Sequence, residues 1–282
     1  MEEMGYIGLA LQDRPGVWKA PQLWLPVIQP RGDDDQGFWR HRETQYLNLG
    51  TRYQVAAQTF ESGAAGKLTV PLVPGAMAML LSWVQDKDAQ GSSKWASLTL
   101  DHGVFAQAVT DAKVQSARFV FNSRLPAHVV LYVVALAMDD TDRPGNVNLP
   151  VVPPYAPREC EIELALNEGP LEVAIGLDHF EVWMENDLDG LRNTDRGMTV
   201  TGTLRRGLIC QRLHADYVAK REGAMVVSMT RGASGNRVAL PRVQWTQERL
   251  ALRGMDRWQE AQRVSYRGLG SVDGLTPPVV LS

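Results

Sequence analysis

The sequence predicts an α+β protein, mainly β, built as two similar β-sandwich or barrel halves with one packed α-helix each. Three observations carry that expectation. Short stretches of alternating apolar residues recur along the whole chain. Only two segments show helical periodicity. The strand–turn–helix stretch Lys67 to Asp86 has an echo at Met198 to Val218.

Tyr6 to Leu11 reads as a first strand, and Arg14-Pro15-Gly16 is a turn signal. Ala20-Pro21 opens a second extended piece, with Leu23, Leu25 and Val27 on one face and Pro26 marking an edge. Residues 31–66 are polar and turn-rich. They read as a long loop or an extended hairpin, with Tyr53 to Phe60 as a candidate strand. Leu68 and Val70 then alternate with Thr69 as a short strand. Pro71 and Pro74 end it, since proline has no N–H to give. Met77, Leu80, Leu81 and Val84 fall at i, i+3, i+4, i+7, one face of a helix of about three turns. Trp95 to Leu100 and Val114 to Phe121 read as strands. The valine-rich run Ala127 to Met138 predicts a strand buried on both faces.

Residues 139–158 hold five prolines, and 141–158 reads as a stiff linker between a first domain, 1–140, and a second, 159–282. The second half opens with Glu161 to Leu166, where Ile162, Leu164 and Leu166 alternate with Glu161 and Glu163. His179 to Glu185 alternates too, with Phe180, Val182 and Met184 on one face. In the echo, Thr199-Val200 match Thr69-Val70. Leu204, Gly207, Ile209 and Leu213 match Leu72, Gly75, Met77 and Leu81, and Arg242-Val243-Gln244 match Lys113-Val114-Gln115. Ala224 to Thr230 pairs with Arg237 to Trp245 across Gly232-Ala233-Ser234-Gly235. Arg249 to Gly254 and Arg263 to Arg267 complete the strands. Leu275 to Val280 is an extended C-terminal arm, frayed or docked on a neighbour.

The chain has 282 residues, 44% hydrophobic and 22% charged, as a globular protein does. No apolar run is long enough to span a bilayer as a helix, and the opening MEEMGY predicts no secretory signal. A net charge of −3 argues against a dedicated nucleic-acid binder. Cys160 and Cys210 cannot form a disulfide framework, and Cys210 reads as a small core residue of the second helix. No catalytic or phosphate-binding motif is present, so neither enzymatic activity nor a cofactor is expected. Asp33-Asp34-Asp35 lacks the spacing of a calcium loop and reads as solvated, so no metal site is expected. Asp178 and His179, adjacent on a strand, should point to opposite faces. Glu161, Glu163, Glu181 and Glu185 fit an ordinary solvated face or the wall of an acidic channel that repels phosphate. The eight tryptophans are spread along the chain, as core or subunit-interface residues are.

Tyr6, Gly8, Gly16, Ala20-Pro21 and Trp24-Leu25-Pro26-Val27 resemble the opening of tailed-phage tail tube proteins, the major tail proteins. Gln12 and Arg14-Pro15 depart from that pattern. The resemblance implies a structural virion protein that assembles into stacked rings, the conduit for genome delivery. If the chain is duplicated, three copies would make a ring of six quasi-equivalent units. Implied partners are further copies of the chain and the tape measure, terminator and baseplate proteins. DNA would pass without specific binding, and no membrane is involved. The location implied is the virion tail, after synthesis in the bacterial cytoplasm. The long loop would reach the next ring through Asp33, Asp34, Asp35, Phe38, Trp39 and Arg40. The alternatives are a tail terminator or hub component and a carbohydrate-binding β-sandwich module.

Overall fold

The computed structural model describes residues 2–29, 37–47, 56–86, 93–167, 169–186, 188, 198–232, 234–251, 261–271 and 277–281. They form strands β1 (Glu2–Leu11), β2 (Leu23–Gln29), β3 (Gly37–Leu47) and β4 (Ala56–Pro71), then helix α1 (Met77–Gln85). Strands β5 (Ala96–Asp101), β6 (Ala106–Asn122), β7 (His128–Thr141), β8 (Cys160–Ala165), β9 (Leu171–Val173), β10 (Leu177–Asn186) and β11 (Met198–Arg206) follow. Helix α2 (Gln211–Ala219) precedes β12 (Glu222–Arg231), β13 (Ser234–Leu250), β14 (Gln262–Gly268) and β15 (Val280–Leu281). The protein is thus α+β and mainly β, organised around one large antiparallel sheet.

Two sets of strands in that sheet share one pairing order. The first runs β2-β1-β5-β6-β7-β4-β3. The second runs β9-β8-β12-β13-β14-β11-β10. In each, the helix lies between the fourth and fifth strands of the set in chain order. The irregularities recur as well. The β5–β6 ladder shifts between Ala96 and Leu98, and the β12–β13 ladder between Gly223 and Met225. The β6–β7 ladder shifts at Gln115, between Val114 and Ser116. The β13–β14 ladder shifts at Thr246, between Trp245 and Gln247. Bulges add one residue to one strand and rarely coincide without common design. Carried through the ladders, this register sets Gly66 against Gly202, Phe119 against Leu250, and Trp39 against Trp183.

That correspondence differs by a few residues from the echo read in the sequence. The echo sets Thr69 against Thr199, whereas the ladders set Ala64 against Val200. Ile209, matched with Met77 in the echo, is 51% exposed just before α2. Two apolar helices align by composition in several registers, but hydrogen-bond ladders fix only one.

The two sets are joined where β10 pairs with β6, from His179 opposite Asn122 to Glu185 opposite Ser116. The prolines at 150–157 do not form a detached spacer. Tyr155 is fully buried; its N–H donates to Leu72, its carbonyl accepts from Ala127, and its hydroxyl accepts from Asn236. The Arg231 side chain donates to the Pro153 and Pro154 carbonyls and lies over the Tyr155 ring.

Several sequence expectations shift. Phe38, Trp39 and Arg40 lie in strand β3, within a β3–β4 hairpin, and not in a loop. Residues 30–36, with Asp33, Asp34 and Asp35, lie outside the described residues, as do 48–55. β6 runs from Ala106, well before Val114, because the Asp111 region and Gln115 break the two-residue alternation. Likewise β13 runs unbroken from Ser234 through Leu250. β7 is buried at Val129, Leu131, Val133 and Ala135, but Tyr132 on its other face is exposed. Cys210 is not inside a helix; it is the half-buried residue preceding α2. The end of the C-terminal arm is docked on its own chain. Val280 and Leu281 pair with Ala239 and Val238, and Gln85 holds the Val279 carbonyl at 2.5 Å.

Candidate functional site

Three features outside the apolar core carry chemistry: the junction between the strand sets, a cleft beside it, and two open strand edges.

At the junction β10 buries Phe180, Val182 and Met184, while His179, Glu181, Trp183 and Glu185 take the other face, as alternation requires. Trp183 stands opposite Arg118 and is 42% exposed. Arg118 grips the Glu181 carboxylate with two donors, Nε at 3.0 Å and Nη2 on the other oxygen. His179 Nε2 donates to the same carboxylate. Burial alone would raise the Glu181 pKa, but the hydrogen bonds from His179 and Arg118 prevail and lower it to about 2. Behind them, burial holds His128 below the ordinary imidazole value, and its Nδ1 donates to the Pro126 carbonyl at 3.0 Å. Asn186, at the end of β10, donates to the carbonyls of Val84 in α1 and Val114 in β6. The junction is therefore tied to a helix and a strand of the first set at once.

The cleft, of about 580 Å³, is lined by Asn122, Arg158, Cys160, Glu161, Asp178 and His179 among others. Asp178 and His179 both face it, against the expectation from alternation. The β10–β11 ladder shifts between Leu177 and His179, so Asp178 is an inserted residue and the two-residue period fails there. Cys160 is a poor nucleophile, because burial first and the Glu159 charge second push its thiol up to about 12. Among the described residues no three His, Cys, Asp or Glu side chains gather as a metal site.

The four glutamates do not form one carboxylate wall. Glu161 and Glu163 share a face of β8, and Glu181 and Glu185 share a face of β10. In the sheet β8 and β10 are separated by β11, β14, β13 and β12. Glu181 is neutralised by Arg118, while Glu161 and Glu185 are exposed.

Pro26 marked the edge strand β2 in the sequence, but the β3 and β13 edges were not legible there. Among the described residues β3 pairs with β4 on one side only. β13 pairs with β12 as far as Gln244. Among the described residues no strand continues along that edge over 245–250. Trp39 on β3 is 48% exposed and Leu250 on β13 is 44% exposed. Open edges with apolar side chains invite pairing with another chain. Comparison with protein-family models and with curated proteins finds no match to this chain.

Proposed function

We propose that the chain is a structural subunit that joins to further copies of itself in rings, and that the rings stack into the tail tube of a bacteriophage. One observation carries the reading: the sheet runs through both strand sets, and among the described residues its open edges include β3 on the first set and β13 beyond Gln244 on the second. A subunit with one open edge of each kind extends head to tail, and a fixed rotation per step closes such an array into a ring. Closure also covers these two edges, which would otherwise invite aggregation. The residues that resemble tail tube proteins, Tyr6 to Val27, make the β1–β2 hairpin. Two strand sets per copy fit three copies in a pseudo-six-fold ring. The tape measure, terminator and baseplate proteins are the further partners, DNA the passing cargo, and the tail of the virion the location. No helix among the described residues is long and apolar enough to cross a membrane.

Negative-stain microscopy of the purified chain tests this. Rings or stacked tubes at high protein concentration are the expected result. Single rings that never stack would favour a terminator or hub component. Monodisperse monomers under all salt conditions would remove the reading.

A further inference from the structure

We infer that copies of this chain join by antiparallel pairing of β3 of one copy with the open 247–250 edge of β13 of the next, with Trp39 opposite Arg249. This rests on the reading that the chain self-assembles and specifies the joint.

The chain already contains one such joint. β10 adds to β6 beyond the end of β5. In the shared strand order β10 corresponds to β3, and β6 corresponds to β13. The coincident bulges fix the second correspondence by residue: Gln115 with Thr246, and the Val109–Ala112 interruption with Leu240–Val243. The β3–β4, β4–β7 and β11–β14 ladders fix the first: Phe38 with Val182 and Trp39 with Trp183. Within the chain Trp183 stands opposite Arg118 and Val182 opposite Phe119. Transferred to the open edges, Trp39 stands opposite Arg249, Phe38 opposite Leu250, and Arg40 opposite Glu248. A tryptophan opposite an arginine is kept on one face and an apolar pair on the other. In the third pair both members already have partners within the chain, Arg40 in Asp140 and Glu248 in His214 and Gln262, so the first two pairs carry the match.

Burial supports the same register independently. Phe119 is 1% exposed because β10 and what lies behind it cover that stretch of β6. Its counterpart Leu250 is 44% exposed. Val182 is fully buried, while its counterpart Phe38 is only partly covered. A neighbouring β3 laid on β13 would cover Leu250 with Phe38. The missing cover lies where a second copy would supply it.

The test uses single-cysteine proteins in a Cys160→Ala, Cys210→Ala background. Trp39→Cys and Arg249→Cys proteins are mixed under mild oxidation. Both positions are exposed, and unchanged circular dichroism checks the fold. Directly opposed strand residues satisfy disulfide geometry, while residues two positions further along do not. The expected result is about ten-fold more mixed disulfide than from Trp39→Cys with Gln247→Cys. Equal yields from both mixtures, or more from the second, would overturn the register. No cross-link while rings still form on grids would overturn the joint and leave assembly standing; absence of both would remove assembly too. As a second measurement, Leu250→Glu should leave a folded chain that no longer assembles. Normal rings from that variant would also overturn the joint.

Discussion

The two strand sets share an order but differ in how well they are covered. In the first, α1 buries Met77, Leu80, Leu81, Trp83 and Val84, and every residue of β5 is buried. In the second, α2 buries only Leu213 and Asp216, and the ends of β12 are exposed. The difference has a physical source. The first set is flanked by its own chain: β10 extends β6, Asn186 caps the space between α1 and β6, and the C-terminal Val279 meets Gln85. The second set has no such flank among the described residues. One strand order thus appears twice, once with a flanking strand and once without one among the described residues, and the contrast locates what a second copy would cover.

The largest expected effect breaks the comparison at the helices. Leu81→Asp places an unpaired carboxylate in the first core and should cost about 4 kcal/mol or more, enough to unfold that set. Val218→Asp on α2, where the side chain is 63% exposed, should change stability by less than about 0.5 kcal/mol. Urea unfolding of both variants checks the pair. A soluble, normally stable Leu81→Asp protein would show that the α1 face is not core.

The corresponding glycines sharpen it further. A Cβ on Gly202 would sit 2.1 Å from the Glu181 carbonyl oxygen and 2.3 Å from the Tyr266 hydroxyl, which itself donates to that carbonyl. Backbone in a paired ladder and a fully buried tyrosine cannot withdraw, so Gly202→Ala should cost about 2–3 kcal/mol. The three atoms nearest to a Cβ on Gly66 all belong to the Phe38 ring, the first at 2.2 Å. Phe38 lies on the open-edge strand and can swing away, so Gly66→Ala should cost about 1 kcal/mol in the monomer. If Phe38 is clamped against Leu250 in an assembly, the Gly66 penalty should rise there. Thermal melts of monomeric and assembled protein would show that rise or its absence.

Much of the fold was legible where periodicity is local. The alternation in Phe180, Val182 and Met184 gave the buried face of β10, and Met77, Leu80, Leu81 and Val84 gave that of α1. The bulges were not legible, because one inserted residue at Gln115, Thr246 or Asp178 inverts the pattern locally without a distinctive residue type. For that reason the length of β6, the shared cleft of Asp178 and His179, and the true register between the sets stayed hidden. The pairing of Glu181 with Arg118 was hidden too, since 63 positions separate them and only the sheet brings them side by side. Pro26 marked β2 as an edge strand, whereas the β3 edge and the 245–250 edge of β13 follow only from what fails to pair among the described residues.

The junction between the sets should be sensitive to acid. The Glu181 pKa is lowered from 4.5 to about 2, so its contribution is present above the unfolded value and lost as pH falls through about 2. His128 has a lowered pKa because it is buried neutral. The unfolded chain takes up that proton first, so stability also declines as pH falls below 6.5. Both groups weaken the junction in acid, in successive windows. Glu181→Gln should therefore cost on the order of 2 kcal/mol at pH 7, because half-exposed Arg118 recovers part of its solvation. The deficit relative to the parent should shrink toward zero as pH approaches 2. Beside the second set Glu159 is also lowered to about 2, by Arg231 first and the Ala156 N–H second. Both pairs keep a partly exposed arginine, so added salt should weaken each. Urea unfolding between pH 3 and pH 7, at low and high salt, checks both expectations. A Glu181→Gln deficit that is independent of pH would mean that its carboxylate charge does not hold β10 to β6.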